Sequence, residues 1–336
     1  MSKQKVELLS PAGNLEKLKI AIKYGADAVY GGVSHFSLRI RASKEFTFET
    51  FKEGIDYAHE RGKKVYATIN GFPFNSQIEL LKTHIKKMAE LKPDAFIVAA
   101  PGVVRLCREI APQIDIHLST QANVLNYLDA QVFWDMGVKR IVVAREISLK
   151  DVMEIKKHLP DMEIEIFVHG SMCFAYSGRC LISAVQMGRV PNRGSCANDC
   201  RFEYTLYAGN DEHGSLFRLE EEPGVGTYIF NSKDMNLASH IQEILDSGAV
   251  DSLKIEGRTK SPYYAAVTAK AYREAIDDYY AGKFEPEKYQ KELHTTKNRG
   301  FTDAYLIHKP FEKTDSQNHD YALSKGSYEV TGLVTE

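Results

Sequence analysis

The feature that most constrains this chain is a repeated unit, made of a short apolar run, a turn containing Gly or Pro, and an amphipathic stretch. The apolar runs predict strands at residues 6–10, 28–32, 65–70, 95–99, 115–119, 140–144, 164–169 and 252–256. Helical spacing follows at residues 14–24, 48–61, 77–91, 103–110, 124–136, 149–158 and 263–280. Apolar strands that alternate with helices indicate a parallel sheet covered by helices.

Eight such units favour a closed α/β barrel, the (β/α)8 or TIM-like fold, over an open doubly wound sheet. No Gly-x-Gly-x-x-Gly follows the first strand, so the sequence lacks the phosphate-binding turn of a dinucleotide-binding sheet. The spacing breaks between residues 170 and 247, a stretch too long for an ordinary connection. We therefore predict a barrel over residues 1–285 that includes a Cys-rich insertion at 170–247, after the seventh strand.

The sequence gives two further predictions, one for the insertion and one for the end of the chain. Segments 202–208 and 227–230 have the pattern of strands that pair as a β-hairpin within the insertion. Residues 286–336 are polar and are expected to form a tail, and residues 326–336 alternate like a strand that has just begun. We expect this to be the start of a truncated C-terminal β extension, leading to a domain that is incomplete in this sequence.

Composition limits the partners of the protein. Lys and Arg number 43 against 45 Asp and Glu, so the net charge is −2 and any contact with RNA requires a local basic patch. The first residues lack the apolar core of a signal peptide, and no run approaches the roughly 18 apolar residues of a membrane span. We therefore expect a soluble, cytoplasmic protein that has no membrane partner.

Four of the five cysteines lie in the predicted insertion, in polar surroundings rich in Gly and Arg. They are Cys173, Cys180, Cys196 and Cys200. Two pairs of thiols joined by a short segment can converge on one metal centre, and their spacing alone leaves zinc and an iron–sulfur cluster open. Cys107 lies among apolar residues of a predicted helix, so we expect it to be a packing residue.

Polar and ionisable residues follow the predicted strands, at the edge where barrel active sites form. Alternation places Glu165, Phe167 and His169 on one face of the seventh strand, with His169 at the rim beside Cys173. The candidate substrate-binding residues at the other strand ends are Asn70, Gln121, Arg145, Lys254, Glu256 and Arg258. The three cations of this set suggest a ligand that carries carboxylates or phosphates.

The sequence lacks the motifs of several common enzymes. It contains no His-Glu-x-x-His, no Gly-x-Ser-x-Gly and no P-loop. Standard zinc-protease, serine-hydrolase and kinase mechanisms therefore lack their residues.

Residues 165–183, EIFVHGSMCFAYSGRCLIS, resemble the signature of peptidase family U32, the collagenase-like proteins. Further similar motifs lie at residues 8–14, 118–123, 192–201, 231–235 and 253–261, so the resemblance covers nearly the whole chain. The last three of these motifs look most like the branch of the family that makes 5-hydroxyuridine at the wobble position of tRNA in a prephenate-dependent way. Other members hydroxylate a ribosomal RNA cytidine or, as a heterodimer, the ubiquinone ring.

The resemblance implies an RNA-modifying hydroxylase with a [4Fe–4S] cluster on the four insertion cysteines, at the barrel mouth. Glu165 and His169 then become candidate catalytic residues for proton transfer, and the cationic strand ends would hold carboxylates or phosphates. The implied partners are tRNA, prephenate or another small carboxylate as co-substrate, and further copies of this chain in a homo-oligomer. Two alternatives remain: a metal-dependent peptidase or collagenase that uses Glu165 and a zinc on the same cysteines, and a metal-cluster subunit of a hydroxylase complex.

Overall fold

The first half of the chain alternates strands and helices as the sequence predicts. The computed structural model describes residues 5–33, 36–38, 46–210, 212, 214–219, 228–309, 316–318 and 323. The strands are β1 (Glu7–Pro11), β2 (Ala28–Gly31), β3 (Lys64–Ile69), β4 (Ala95–Val98), β5 (Asp115–Leu118), β6 (Arg140–Val142) and β7 (Glu163–Ser171). The helices are α1 (Leu15–Lys23), α2 (Phe48–His59), α3 (Ile78–Glu90), α4 (Pro101–Ile110), α5 (Tyr127–Asp135) and α6 (Leu149–His158).

Capping residues explain where several of these helices begin. The side chains of Asn14, Thr47, Asn126 and Ser148 each accept a hydrogen bond from a backbone N–H in the first turn of α1, α2, α5 and α6, respectively. Such caps satisfy donors that have no partner inside the helix, and each stabilises its helix by about 1 kcal/mol. The helix starts are therefore encoded locally, which is why the sequence predicts them well.

The eighth barrel strand follows the insertion. The insertion contains α7 (Ile182–Met187), β8 (Leu206–Asn210), β9 (Ser215–Leu219), β10 (Asp234–Asn236) and α8 (Ile241–Asp246). Then β11 (Ser252–Ile255) pairs in parallel with both β1 and β7, so that Leu253 lies opposite Leu8 on one side and Ile166 on the other. This double pairing closes the barrel, and α9 (Pro262–Tyr280) packs outside it. The predicted (β/α)8 fold is confirmed.

The hairpin in the insertion differs from the prediction. The strand partner of β8 is β9, with Ala208 opposite Phe217. Residues 228–230 are not in a strand, since 229 and 230 lie in a turn, and residue 227 lies outside the described residues. The prediction of a second strand at 227–230 is therefore wrong. Gly214, which has a φ of 62°, lies in the short connection between β8 and β9.

The segment after residue 285 packs on the barrel. It contains α10 (Pro286–Leu293), β12 (Phe301–Thr302) and α11 (Ala304–Ile307). Tyr289 and Leu293 of α10 are fully buried. Strand β12 pairs in parallel with β10, and β10 pairs antiparallel with the last residues of β7. The strand predicted at residues 326–336 lies outside the described residues. None of the helices in the described part of the chain has the length and apolar character that crossing a membrane requires.

Candidate active site

A cavity of about 110 Å³ opens at the carboxyl ends of the barrel strands. All six candidate substrate-binding residues line it: Asn70, Gln121, Arg145, Lys254, Glu256 and Arg258. The insertion adds Cys173, Ser177 and Gly178 to the lining, so it partly covers the barrel mouth. These residues are far apart in the sequence and meet here because parallel strands of a barrel end at the same edge.

Lys254 provides a buried cation in the pocket lining. Its Nζ lies 2.6 Å from Oε1 of Glu165 and 4.4 Å from the centre of the Tyr30 ring. Oε2 of Glu165 accepts a hydrogen bond of 3.1 Å from Arg140. Glu165 is fully buried and does not line the cavity, so its carboxylate neutralises and holds Lys254 from below.

Arg140 extends this ion-pair network toward the amino ends of the strands. It also contacts Glu7 and Glu163, and the Tyr66 hydroxyl donates to Oε2 of Glu7 over 2.6 Å. Burial alone would raise the pKa of Glu7, but the charge of Arg140 and the hydrogen bonds from Arg140 and Tyr66 lower it overall. The barrel interior therefore contains a chain of paired charges beneath the pocket.

Arg145 connects three parts of the pocket wall. Its guanidinium donates to Oγ of Ser177 over 2.5 Å and to Oε2 of Glu256 over 3.3 Å. Its Cζ also lies 4.0 Å from the centre of the Phe167 ring. Arg145 thereby ties β6, the insertion and the end of β11 together, and it presents a planar cation over an aromatic ring.

Arg258 is largely engaged by the protein. It donates to Oγ of Ser37 over 2.8 Å, to Oγ1 of Thr68 over 3.2 Å and to the carbonyl of Leu38. The backbone at Arg258 also approaches Gly13 so closely that a Cβ there would lie 2.0 Å from the Arg258 carbonyl oxygen. Arg258 therefore serves mainly to hold the pocket wall together, more than Arg145 and Lys254 do.

His169 does not share a face with Glu165 and Phe167, and that prediction is wrong. The pairing of β7 with β11 shifts so that Lys254 lies opposite Phe167 and Ile255 opposite His169. This β-bulge breaks the alternation and turns His169 toward the rings of Tyr264, Tyr272 and Phe301, at centroid distances of 5.8, 5.6 and 5.5 Å. Burial lowers the pKa of His169 to about 3, so its imidazole is neutral at physiological pH. Its catalytic role stays a prediction that the pocket geometry does not favour.

The four insertion cysteines do not form a complete ligand set. Burial raises the pKa of Cys200, and Cys173 and Cys196 are near enough to add to that effect. Within the described residues, however, no three or more His, Cys, Asp or Glu side chains meet closely enough to hold a metal ion. Thiols of this kind suit zinc or an iron–sulfur cluster, but their present arrangement fits neither. Cys107 is fully buried in α4, as expected of a packing residue.

Several site residues were missed by sequence reasoning. Tyr30 and Ser177 line the cavity, and Arg140 holds Glu165, yet none was singled out. Tyr30 lies inside a uniformly apolar strand, where nothing in the local pattern distinguishes a residue that faces the barrel interior. Arg140 offered a signal, because a cation at the start of an apolar strand requires a partner.

Fold and pocket together define a (β/α)8-barrel protein whose cationic, aromatic-walled cavity is covered by a cysteine-bearing insertion. The sequence profile of peptidase family U32 matches residues 13–316. The chain belongs to peptidase family U32.

Relatives with assigned names fall mostly in one branch. The chain is 71% identical to tRNA hydroxylation protein P of Helicobacter pylori, over 98% of this chain and 78% of that protein. It is 42% identical to tRNA hydroxylation protein P of Escherichia coli, over 95% and 78% of the two chains. The solved structure of the U32 peptidase Mk0906 covers 76% of this chain and 95% of its own, at 16% identity and a TM-score of 0.50, and it supports the fold alone.

More distant relatives carry different names. The 23S rRNA 5-hydroxycytidine C2501 synthase of Escherichia coli is 35% identical over 82% of this chain and 40% of its own length. A protein named collagenase from Porphyromonas gingivalis is 31% identical over 90% of this chain and 73% of its own length. Family membership alone therefore leaves the reaction to be argued from similarity and geometry.

Proposed function

We propose that this chain is an RNA hydroxylase that forms 5-hydroxyuridine at the wobble position of tRNA. The observation that carries the proposal is the 71% identity, over 98% of the chain, to a tRNA hydroxylation protein. The more distant 5-hydroxycytidine synthase adds that the family also includes an enzyme named for placing a hydroxyl on C5 of an RNA pyrimidine. The names of the tRNA hydroxylation protein and of the 5-hydroxycytidine synthase are both explained if these relatives hydroxylate a pyrimidine base of RNA.

The pocket is suited to a single base taken out of its stack. Enzymes that modify a base in RNA or DNA extrude it into a small pocket, where aromatic side chains stack on it and polar groups bind its edge. Here Tyr30 and Phe167 supply aromatic walls, and Gln121 and Ser119 supply polar groups at the end of β5. The cavity opens to solvent at the barrel mouth, so a base can enter while its phosphates stay outside.

The cations of the pocket can assist chemistry at C5. Addition to C6 of the uracil ring makes C5 nucleophilic and places negative charge on the C4 carbonyl oxygen, and a fixed positive charge stabilises that state. Lys254 is held in place for this role by Glu165, and Arg145 by Ser177 and Glu256. Glu165 then acts on the reaction through Lys254 rather than by touching the substrate.

Replacement of the C5 hydrogen by a hydroxyl group is a two-electron oxidation, so it requires an oxygen source and an electron acceptor. Prephenate as a co-substrate and a [4Fe–4S] cluster on the four insertion cysteines are the groups expected to take part in this oxidation, and both stay predictions. No step is assigned to a cluster, because the four thiols do not form a ligand set as they are placed. Loading would require the insertion to draw its cysteines together.

The rim around the pocket has the composition of an RNA-binding surface. Residues 171–203 contain four arginines but only two carboxylates, Asp199 and Glu203. Phe174, Tyr176 and Phe202 are exposed on the same segment. Unpaired RNA bases stack on aromatic rings and on arginine planes, while arginines also bind phosphates. The near-zero net charge of the chain is therefore compatible with a tRNA partner at this rim.

The peptidase alternative is less well supported by the geometry. It needs Glu165 to act on a water at a metal held by the insertion cysteines. Glu165 instead lies beneath the pocket, bound to Lys254 and Arg140.

The other alternative, a subunit that works only within a complex, differs from our proposal in one respect: the chain alone would then be inactive.

The proposal is tested by expressing the chain in a bacterial strain that lacks its own tRNA hydroxylases. Nucleosides from total tRNA are then separated and analysed by mass spectrometry. We expect 5-hydroxyuridine to appear with the wild-type chain and to fall strongly with Lys254→Met. Absence of the product, together with cleavage of collagen peptides by the purified chain that is lost in Glu165→Gln, would support the peptidase instead.

A further inference from the structure

Gln121 places a side-chain amide in the pocket, and no described residue donates a hydrogen bond to its buried oxygen. The residue is 7% exposed and lines the cavity, and in the part of the chain that the structure describes its Oε1 accepts no hydrogen bond. The backbone around it is fully fixed, because its N–H donates to Oγ of Ser119 and its carbonyl accepts from Nδ2 of Asn123 over 2.8 Å. A buried amide oxygen without a hydrogen-bond donor destabilises the folded protein. A ligand that brings an N–H or O–H group to this oxygen therefore gains affinity.

The insertion packs directly against this amide. Nδ2 of Asn123 also donates to the Ser177 carbonyl over 3.2 Å, which ties the end of β5 to the segment that covers the pocket. Gly178 follows with a φ of 78°, and a Cβ at this position would lie 3.0 Å from Nε2 of Gln121. The amide is therefore confined between the barrel and the insertion, and its position in the pocket is restricted.

The chemistry of the amide favours a nucleobase over a carboxylate as its ligand. A carboxylate would bring further acceptor atoms to an acceptor that already lacks a donor. The edge of uracil, in contrast, has an N3–H donor beside a carbonyl oxygen. This pattern is complementary to Oε1 and Nε2 of a glutamine, which accept and donate side by side.

We propose that Gln121 reads the edge of the extruded base and makes the pocket specific for uracil; this inference rests on the proposed function. Oε1 accepts from N3–H of uracil while Nε2 donates to the neighbouring carbonyl oxygen. In cytosine, N3 is an unprotonated acceptor, so the same orientation of the amide places two acceptors against each other. Gln121 is thus a specificity-determining residue at the end of β5, distinct from the cations that stabilise charge.

The first experiment compares Gln121→Glu and Gln121→Leu with the wild-type chain in the strain that lacks tRNA hydroxylases. The matched control is Gln242→Glu, the same chemical change on the exposed surface of α8. We expect both Gln121 variants to lower the yield of 5-hydroxyuridine about 10- to 100-fold, the discrimination typical of a two-bond contact to a base. The control should match the wild type.

The second measurement separates base recognition from a loss of structure. The purified chain is titrated with an anticodon stem-loop that carries uridine or cytidine at the wobble position. We expect the wild type to prefer uridine about tenfold, and Gln121→Leu to lose this preference while keeping its affinity for the cytidine loop, since phosphate contacts dominate binding.

Each outcome decides a different claim. No 5-hydroxyuridine with the wild-type chain overturns the proposed function and this inference with it. A wild-type chain that makes the product, with an equal yield from Gln121→Leu, overturns the inference alone. An equal loss of affinity for both loops in Gln121→Leu also overturns it, because that result assigns Gln121 a structural role.

Discussion

At the scale of single residues, the site combines residues that the sequence predicts with residues that cannot be identified from the sequence. The six substrate-binding residues at strand ends were predictable, because the end of a strand can be located from its own apolar run. All six line one pocket. The position of Glu165 beneath Lys254 depends instead on the pairing of β7 with β11, which are almost ninety residues apart. Contacts of this kind arise only when the barrel closes, so the local pattern does not contain them.

The buried charges predict a large cost for one substitution. Glu165→Gln removes the negative charge that balances Arg140 and Lys254 inside the barrel. We expect a loss of about 3–5 kcal/mol in the free energy of unfolding, typical of a broken buried pair. Glu53→Gln, which breaks an exposed pair with Lys19, should cost about 0–1 kcal/mol. Urea denaturation measures both, and equal effects would contradict the assigned network.

The buried imidazole of His169 predicts a dependence of stability on pH. Its folded pKa of about 3 lies below the ordinary value of 6.5. Between these values the unfolded chain binds a proton that the folded chain does not, so stability falls as the pH drops from 6.5 toward 3 and is unaffected by His169 above that window. We expect His169→Gln to show a shallower loss of stability between pH 7 and pH 5 in urea denaturation. Parallel curves for the two proteins would refute this placement of His169.

At the scale of elements, β7 changes partner along its length. Its first part pairs in parallel with β6 and β11, and its last three residues pair antiparallel with β10. The sequence predicts the strand but not the bulge, because Glu-Ile-Phe-Val-His alternates without interruption, whereas in the pairing with β11 the residue Val168 has no partner of its own. Gly170, with a φ of 107°, permits the change of direction.

Gly170 therefore predicts a test of this element. A Cβ at Gly170 would lie 2.6 Å from the carbonyl oxygen of Glu256, so Gly170→Ala combines backbone strain with a clash in the pocket wall. Gly62 also has a positive φ but open space around its Cβ position, which makes Gly62→Ala a control for strain alone. We expect Gly62→Ala to cost about 1–2 kcal/mol and Gly170→Ala measurably more in thermal unfolding. A cost at Gly170 no greater than at Gly62 would contradict the described packing.

The insertion carries the prediction about a metal centre. If its four cysteines hold a [4Fe–4S] cluster, the chain purified without oxygen should be brown and contain about four irons. Cys173→Ala should lose the iron, whereas Cys107→Ala should keep it and lose only about 1–3 kcal/mol of stability. Iron and zinc analysis of the three proteins is the measurement. Stoichiometric zinc that is lost in Cys173→Ala would favour the zinc alternative, and wild-type protein without either metal after reconstitution would rule out both.

At the scale of the whole molecule, the barrel was predictable because its eight strands are each encoded by a local apolar run. Two parts were missed although they lie close to predicted elements: β9 pairs with its neighbour β8 but lies within residues 209–226, which are polar as a whole, and α10 lies in a segment whose composition suggested a tail. For α10 a local signal existed, because Pro286 opens the helix and Tyr289 and Leu293 lie four residues apart on its buried side. The arrangement of the four cysteines could not be derived from their spacing.

The central claim is that this barrel hydroxylates a wobble uridine of tRNA. The most direct measurement digests individual tRNAs from a strain that lacks tRNA hydroxylases and expresses only this chain, and maps modified fragments by mass spectrometry. We expect fragments that contain the anticodon and are heavier by one oxygen atom, with the added mass on the wobble uridine. Unmodified anticodon fragments from cells that contain the folded chain, or an oxygen added at another position, would contradict this activity.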